Sequence, residues 1–294
     1  MTALWHVEMP DGRRRWATGP VEDGPSHFLE AGLGLATLLA DDGPSLADLD
    51  ARTSSEPVPA DTRVIAPVDR QEVWAVGVTY LRSRDARIEE SKHAPDHYDR
   101  VYDAQRPELF FKSTPERVRG PGEAICVRED SSWDVPEPEL ALAVAADGAV
   151  VGYLVGDDVS SRSIEGQNPL YIPQAKIFTG GCALGPCIVP AAQVGSLDEL
   201  RIALEVHRDG ASVYRDEVSV ADLKHRPADL ASWLTRGLDF PHGVMLMTGT
   251  AIVPPVEFTL TPGDEVEITI TGLGRLHNPV ELLATGPAPS DEEG

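Results

Sequence analysis

The chain has 294 residues, of which 48 are acidic and 25 are basic, and its formal net charge at pH 7 is −23. Nucleic acids and anionic membrane surfaces attract basic faces, so this charge excludes both as partners. No apolar run approaches the ~20 residues that a membrane-spanning helix needs, and the first residues lack the basic and apolar segments of a signal peptide. We therefore expect a cytoplasmic protein.

The cysteines and lysines also bear on the cellular setting. Cys126, Cys182 and Cys187 contain no Cys-x-x-Cys pair, which argues against a zinc or redox site and favours reduced thiols. Four lysines stand against 21 arginines. Excess acid with scarce lysine is typical of a high-salt cytoplasm, where salt screens the repulsion, and a GC-rich genome also replaces lysine by arginine. The composition leaves both interpretations open.

The N-terminal part of the chain is acidic and rich in glycine and proline. Residues 1–66 are predicted to form a small N-terminal domain. Short helices are predicted near 35–39 and 46–52, and the Ser- and Pro-containing stretch 53–60 is predicted to be a linker.

Residues 67–294 are predicted to form the larger, catalytic domain. Gly, Pro and Asp separate short β-type runs, and the predicted strands are 73–78, 139–145, 149–155, 201–208 and 266–271. Two helices are predicted at 81–92 and 228–236, and the tail 287–294 is predicted to be disordered. The pattern indicates a β-rich α+β protein built as a mixed β-sandwich or roll.

A hairpin is predicted where two apolar runs flank Asp147-Gly148. Asp-Gly between apolar runs is a strong signal for a two-residue turn. Such a turn pairs Ala146 with Ala149, and the numbers of all facing residues along the hairpin then sum to 295.

This register brings three carboxylates together. Glu137 lies directly opposite Asp158, and Glu139 shares the face of Glu137 because side chains at i and i+2 point the same way. Directly opposed residues have their Cβ atoms about 5 Å apart. Asp157 falls opposite Pro138 and is predicted to point to the other face.

Three convergent carboxylates repel one another, and their pKa values rise unless a cation lies among them. Ligation by oxygen alone suits a hard ion, Mg²⁺ first, with Mn²⁺ or Ca²⁺ as alternatives. The other interpretation of this acidic segment is a pair of solvated strand ends without a metal.

The segments around this hairpin resemble the fumarylacetoacetate hydrolase superfamily. That family combines a Glu-x-Glu pair, an Asp in an Asn-Asp-Val-x-x-Arg type segment, a Lys after Ala, a Thr-Gly-Thr turn, a Gly-Asp and a closing Gly-x-Gly-x-Leu-x-Asn. The matching segments, which span residues 73 to 281 in this order around the carboxylates, are Val76-Gly-Val-Thr-Tyr80, Leu109-Phe-Phe-Lys-Ser113, Asp158-Val-Ser-Ser-Arg162, Gln174-Ala-Lys176, Thr248-Gly-Thr250, Pro262-Gly-Asp264 and Gly272-Leu-Gly-Arg-Leu-His-Asn278. The resemblance implies the superfamily's C-terminal β-roll with a small N-terminal domain, a homo-oligomer (dimer or tetramer) and a small 2-keto acid as substrate.

One departure from the family pattern selects a subgroup. The family's carbon–carbon hydrolases carry a His followed three residues later by a Glu, and this pair activates water. The corresponding positions here are Ser83 and Ala86, which cannot form a base dyad at neutral pH. The segment from Asn168 to Lys176 instead resembles the family's dehydratases of 2-keto-3-deoxy-D-arabinonate or D-xylonate, which act in pentose breakdown.

The resemblance also implies roles for individual side chains. Lys176 is expected to face the metal-bound substrate, and its alternative is a surface lysine. Arg162 is expected to clamp a carboxylate, with a surface salt bridge as the alternative. Thr250 is expected to donate to the substrate carboxylate, with a plain turn hydroxyl as the alternative. Ser83 and Lys112 are assigned to substrate binding as well.

The implied reaction is a Mg²⁺-dependent dehydration of a 2-keto-3-deoxy-pentonate to 2,5-dioxopentanoate through an enolate. Lys176 or Glu165 is expected to carry the proton. One alternative within the superfamily is an acylpyruvate hydrolase or an oxaloacetate decarboxylase, and the missing His at Ser83 argues against the hydrolase alone. An alternative of another class is a catalytically silent acidic metal-binding protein, against which the presence of Lys176 and Arg162 argues.

Overall fold

A computed structural model describes residues 1–84 and 101–284 of the protein. Strands dominate these residues. The strands are β1 Thr2–Glu8, β2 Arg14–Pro20, β3 His27–Leu29, β4 Thr53–Pro57, β5 Arg63–Ile65, β6 Val73–Gly77, β7 Glu108–Ser113, β8 Val118–Arg119, β9 Ile125–Arg128, β10 Asp134–Val135, β11 Pro138–Val144, β12 Val150–Asp158, β13 Ser160–Ser161, β14 Cys182–Pro190, β15 Arg201–Arg208, β16 Ala211–Ser219, β17 Val244–Met247, β18 Glu265–Ile270 and β19 Gly274–Leu283.

Helices are few and short in the same residues. The α-helices are α1 Leu35–Leu38, α2 Arg162–Glu165, α3 Ile172–Lys176 and α4 Pro227–Leu234. The 3₁₀ helices are Leu46–Arg52, Pro115–Arg117, Pro169–Tyr171, Ala191–Gln193, Leu197–Glu199 and Val220–Asp222. Residues 81–84 and 101–103 are also helical. In the part of the chain that the structure describes, no helix is long and apolar enough to cross a membrane.

Two large sheets form the body of the molecule. The first has 12 strands, ordered β4-β3-β2-β1-β14-β12-β11-β17-β6-β7, with β5 joined to β1 and β8 joined to β14. The second has five strands, ordered β16-β15-β18-β19-β9, and β10 pairs with β13 apart from both. Most pairs are antiparallel, and β8–β14, β6–β17 and β9–β19 are parallel. The mixed, β-rich architecture confirms the predicted fold class.

Strand β11 is buried on both faces, because the large sheet is covered from two sides. Leu140 and Leu142 belong to the apolar core that β11, β12 and β14 share with β15, β18 and β19 of the second sheet. Ala141 and Ala143 point the other way, into a core that includes Leu39. A strand covered on both faces has a nearly continuous apolar sequence, as β11 does. This burial keeps water away from the residues at the end of the strand.

The N-terminal 66 residues are part of the large sheet. Strand β1 pairs with β14 at Leu4 and Ile188, and β5 pairs with β1. The predicted linker at 53–60 is wrong, because Thr53–Pro57 forms the edge strand β4 beside β3. Helix α1 packs in the same apolar core as β11 and β17. The predicted domain boundary at residue 66 stays a prediction, and no separate core marks it among the described residues.

Each strand that the sequence predicted corresponds to a strand of the structure, whereas other long strands, such as β14, β16 and β19, were not predicted. Strand β15 has the predicted bounds, and the N-terminal helices begin where they were expected, the second as a 3₁₀ helix. Helix α4 covers most of the predicted 228–236. Beyond its first turn at 81–84, the predicted helix 81–92 lies outside the described residues, as does the tail 287–294.

The hairpin of β11 and β12 has the predicted register but not the predicted turn. Pro138 pairs with Asp157, as the sum of 295 requires. Five residues, 145–149, separate the strands, since the main-chain N–H of Gly148 donates to the carbonyl of Ala145. A bulge at Val151 adds one residue to β12 and restores the expected pairing from there to the open end.

Candidate functional site

The open end of this hairpin gathers the three predicted carboxylates. Asp158 ends β12, and its main-chain N–H donates to the carbonyl of Glu137 at 3.0 Å. One oxygen of each of Glu137, Glu139 and Asp158 lies within 4.8 Å of the others. The three residues are 3%, 1% and 1% exposed. The predicted convergence is confirmed, and the alternative of solvated strand ends is wrong.

A turn that contains Gly249 contacts the carboxylate of Glu139. The main-chain N–H of Gly249 donates to Oε2 of Glu139 at 2.6 Å. Gly249 has φ +92°, and a Cβ there would lie 2.1 Å from Oγ1 of Thr79, so only glycine fits. Burial, and then the negative charges of Asp158 and Glu137, raise the pKa of Glu139 well above its usual range.

Lys176 places an ammonium group among the carboxylates. It ends α3, and its Nζ donates to Oε2 of Glu137 at 3.1 Å, to Oδ2 of Asp158 at 3.0 Å and to Oγ of Ser160 at 2.6 Å. Arg162 begins α2 and pairs with Oε1 of Glu137 at 3.0 Å. Both cations are almost fully buried, so the surface alternatives for Lys176 and Arg162 are wrong.

Lys112 lies behind the carboxylates. Its Nζ donates to the carbonyls of Val159 at 3.0 Å and of Lys176 at 2.5 Å, and it pairs with Oδ1 of Asp158. A bulge in β7 leaves Lys112 without a partner on β6, and bulges redirect side chains. Lys112 does not line the cavity described below, and its predicted role in substrate binding stays a prediction.

A cavity of about 150 Å³ opens over this cluster. A water needs about 10–15 Å³ of such space, so the cavity has room for a small organic acid. Its lining comprises Val76, Gly77, Val78, Ser83, Val101, Glu108, Phe110, Glu137, Asp158, Arg162, Glu165, Pro169, Ile172, Lys176 and Thr250. Predicted residues outside the metal set that reach the cavity are therefore Ser83, Arg162, Glu165, Lys176 and Thr250.

The two hydroxyl groups at the cavity have local partners. Oγ of Ser83 donates to the carbonyl of Tyr80 at 2.9 Å. Oγ1 of Thr250 accepts from the main-chain N–H of Ile252 at 3.2 Å. Both hydroxyls therefore reach the cavity with one local hydrogen bond each. Ala86 lies outside the described residues.

Sequence reasoning missed Glu108, which lines the cavity from β7. Alternation along this strand carried the signal, because Glu108 and Phe110 are two residues apart and share the cavity face. Lys112 continues that spacing in sequence but not in space, since the bulge interrupts it.

Asp157 stands apart from the convergent carboxylates, as predicted. It is fully buried, and its Oδ1 accepts the main-chain N–H of Glu137 at 2.9 Å. Burial raises its pKa to about 7. Asp157 therefore braces the chain at Glu137 from the opposite face.

Comparisons with known proteins agree with this geometry. Residues 72–281 match the fumarylacetoacetate (FAA) hydrolase C-terminal family. A probable 2-keto-3-deoxyxylonate dehydratase of Haloferax volcanii is 50% identical over 223 residues, 76% of each chain. A 2-dehydro-3-deoxy-D-arabinonate dehydratase of Saccharolobus solfataricus is 42% identical over 224 residues, 75% of each chain.

A solved structure shares the whole architecture. It is 2-keto-3-deoxy-D-arabinonate dehydratase complexed with magnesium and 2,5-dioxopentanoate, and it superposes with a TM-score of 0.82 at 33% identity. The superposition covers 97% of this chain and 100% of that chain.

Proposed function

The chain belongs to the fumarylacetoacetate hydrolase family, and from that premise we propose that it is a Mg²⁺-dependent dehydratase of 2-keto-3-deoxy-pentonates. Its substrate is of the D-xylonate or D-arabinonate type, and its product is 2,5-dioxopentanoate. The names of the two relatives and the ligands of the superposed structure support this assignment.

One observation carries the proposal: two buried carboxylates, Glu137 and Asp158, and the buried Lys176 line a cavity sized for a small acid, and a third carboxylate lies within 4.8 Å of the first two. Carboxylates this close repel one another in a medium of low dielectric, and a divalent cation offsets that repulsion. A catalytically silent metal-binding protein needs neither the cavity nor the cations Lys176 and Arg162 that reach it.

The donor set fits Mg²⁺. Glu137, Glu139 and Asp158 offer only oxygen atoms, and burial, followed by the negative charges of Asp158 and Glu137, raises the pKa of Glu139, so a cation here would stabilise its charged form. These three residues would hold the ion. When bound, Mg²⁺ supplies Lewis acidity to the 2-keto group of the substrate.

The remaining side chains at the cavity bind and orient the substrate. Arg162 offers a guanidinium fork, which suits a carboxylate, and Thr250 adds a hydroxyl on the same cavity. Ser83 supplies a second hydroxyl for the polar groups of the sugar acid. Phe110 and Val76 give the wall its apolar part and exclude water from the reacting carbons.

Lys176 and Glu165 are proposed to carry the chemistry. Removal of a C3 proton puts negative charge on the 2-keto oxygen, and the buried ammonium of Lys176 stabilises that charge. Glu165 is proposed to move protons, taking one at C3 and returning one to the departing C4 hydroxyl. Loss of that hydroxyl as water leaves a C3–C4 double bond. Transfer of a C5 proton to C3 then gives a C4–C5 enol, and transfer of the C5 hydroxyl proton to C4 leaves an aldehyde at C5. The net change is one water lost.

The rival activities within the family receive less support. An acylpyruvate hydrolase needs an activated water, and Ser83 offers an alcohol where the hydrolases place their base. The relatives that carry dehydratase names are 50% and 42% identical, which favours dehydration over oxaloacetate decarboxylation as well.

We also propose the setting of the enzyme. Three buried cysteines with free thiols are compatible with a cytoplasmic enzyme of pentose breakdown. Leu170 and Val256 are 82% and 64% exposed and offer apolar surface for a homo-oligomer, dimer or tetramer. The net charge of −23 supports function at high salt.

Turnover of a substrate panel tests the function directly. The purified protein should convert 2-keto-3-deoxy-D-xylonate or its D-arabinonate epimer to 2,5-dioxopentanoate, measured by chromatography of the product. EDTA should stop the reaction, and Mg²⁺ should restore it.

Two controls separate the rivals. Acetylpyruvate should remain nearly untouched, and faster cleavage of acetylpyruvate would show a hydrolase. Borohydride added with substrate should trap no adduct on Lys176, because the proposed reaction has no Schiff base; a trapped adduct would contradict the mechanism.

A further inference from the structure

Three groups hold the ammonium of Lys112. Its Nζ donates hydrogen bonds to the carbonyls of Val159 and Lys176 and forms an ion pair with Oδ1 of Asp158. The side chain is fully buried and does not line the cavity. Lys112 therefore ties β7 to the last residue of α3, behind the cavity.

Ser160 contacts Lys176 at the ammonium end of its side chain. Its hydroxyl donates to the carbonyl of Asp158 at 2.9 Å, so a lone pair of Oγ is directed at Nζ of Lys176, 2.6 Å away. Ser160 is fully buried and lies outside the cavity lining. A serine whose proton is already donated can only accept from Lys176.

We propose that Lys112 and Ser160 are positioning residues, and that together they hold Lys176 by its main-chain carbonyl and by its ammonium. This inference rests on the proposed function, in which Lys176 stabilises charge that develops in the transition state. Neither residue touches the substrate. We name the pair the Lys176 clamp.

The clamp predicts a specific kinetic signature. Lys176 interacts most strongly with charge that appears after substrate has bound, so a misplaced ammonium lowers kcat and leaves KM nearly unchanged. A residue that contacts substrate in the ground state would raise KM instead. The position of Mg²⁺ should also persist, because the hydroxyl of Ser160 touches no carboxylate oxygen among its hydrogen bonds.

The experiment compares Ser160→Ala and Lys112→Met with Ser113→Ala. Ser113 is a matched control, since it is also a buried serine and its Oγ donates only to the carbonyl of Thr114. We expect kcat to fall about tenfold in Ser160→Ala and about 100-fold in Lys112→Met, with KM within about threefold, as for lost hydrogen bonds to a charged group. Calorimetric titration of Mg²⁺ should give Ser160→Ala the affinity of the wild type within about threefold.

A double-mutant cycle tests the clamp without any turnover. Ser160→Ala should lower the Tm more in the wild-type background than in the Lys176→Met background, where it removes only the hydrogen bond to the carbonyl of Asp158, because coupled residues are not additive. Additive changes in Tm would overturn the clamp even if the proposed function failed.

The outcomes of the two proposals are distinguishable. A wild-type protein that leaves every 2-keto-3-deoxy-pentonate unchanged contradicts the proposed function. Folded Ser160→Ala with wild-type kcat, or with raised KM and unchanged kcat, contradicts the clamp alone. If Lys112→Met fails to fold, because it leaves buried carbonyls without donors, Ser160→Ala and the cycle still decide.

Discussion

The two ends of the β11–β12 hairpin carry acidic residues in opposite surroundings. At the open end, Glu137 and Asp158 are almost completely buried and bonded to Lys176. At the turn, Asp147 is exposed, and its Oδ1 accepts the main-chain N–H of Ala149 at 2.9 Å. One hairpin thus presents the same functional group as a reactive cluster and as a solvated turn.

The difference shows that burial and convergence make the site, and that acidity alone does not. Two charges 4 Å apart interact by about 1 kcal/mol in bulk water and by about 4 kcal/mol at an effective dielectric of 20. The chain has 48 acidic residues, and most of their charge is screened by water. The carboxylates that could bind a metal are those buried where the sheet is covered on both faces.

Replacing one acidic residue at each end of the hairpin should give the largest difference in turnover between the two ends. Asp158→Asn should lower Mg²⁺-dependent turnover by about 10³-fold or more, because it removes a ligand from an ion that contributes several kcal/mol. Glu139→Gln should do the same with the fold intact. Turnover at saturating Mg²⁺ and circular dichroism measure both effects.

Two neighbours serve as controls for this substitution. Asp147→Asn should keep turnover within about twofold, and Asp157→Asn should be far milder than Asp158→Asn because an amide oxygen still accepts the N–H of Glu137. Full activity in Asp158→Asn would contradict the metal assignment.

The comparison extends to glycines with the same backbone conformation. Gly249→Ala should weaken Mg²⁺ binding by about 10–100-fold, because a Cβ 2.1 Å from Thr79 forces the main chain and its N–H away from Glu139. Gly263 has φ +94°, and a Cβ at this position would have no neighbouring atom within 4 Å, so Gly263→Ala costs only about 1 kcal/mol of backbone strain. Calorimetric titration measures the Mg²⁺ affinity, and urea unfolding measures the free energy of unfolding. Equal Mg²⁺ affinities of Gly249→Ala and Gly263→Ala would contradict the role of Gly249.

A buried acid outside the cluster tests burial by itself. Asp134 is 3% exposed, and burial raises its pKa to about 6 from an ordinary 3.8. The folded protein then holds a proton that the unfolded chain releases between these values, so the free energy of unfolding falls as pH rises from about 4 to about 6. The loss should be about 2–3 kcal/mol.

Asp134→Asn removes this titration. Urea unfolding at pH 4, 5, 6 and 7 should show the variant gaining stability relative to the wild type as pH rises, with no further gain above pH 7. Parallel stability curves for the two proteins would show that the carboxyl of Asp134 is well solvated.

Salt should act on the exposed acids and produce the smallest effect per residue. The Debye length falls from about 10 Å at 0.1 M to a few Å above 1 M, so repulsion among surface carboxylates disappears. The Tm should climb steeply in KCl, more than that of a neutral control protein. A flat response between about 0.1 and 2 M would assign the composition to genomic bias.

The two-residue repeat of a β-strand was enough to predict much of the site. Side chains two residues apart along a strand lie on the same face, so Glu137 and Glu139 point in the same direction. The register was right at the open end although the turn was wrong, because the longer loop and the bulge at Val151 cancel. The short helices α2 and α3 were missed, although the equally short α1 was predicted.

Some strands that pair with segments distant in sequence were not predicted. Thr53–Pro57 has the composition of a linker, yet it forms β4 because the edge of β3 offers it hydrogen bonds. Polar sequence is normal on an edge strand, which solvent covers on one side. Strand β1 lies before residue 66, and one of its partners, β14, lies more than 100 residues away in sequence.

The amino-acid sequence by itself determined which acids converge, which family pattern they complete and which hydrolytic base is absent, because these depend on residue identity and on the period of a strand. Only the tertiary structure decided the layers around them. It put Glu108 at the cavity, the N–H of Gly249 beneath Glu139 and Lys112 behind Asp158. A bulge and a left-handed glycine set those directions, and both depend on strands that meet only when the sheet closes.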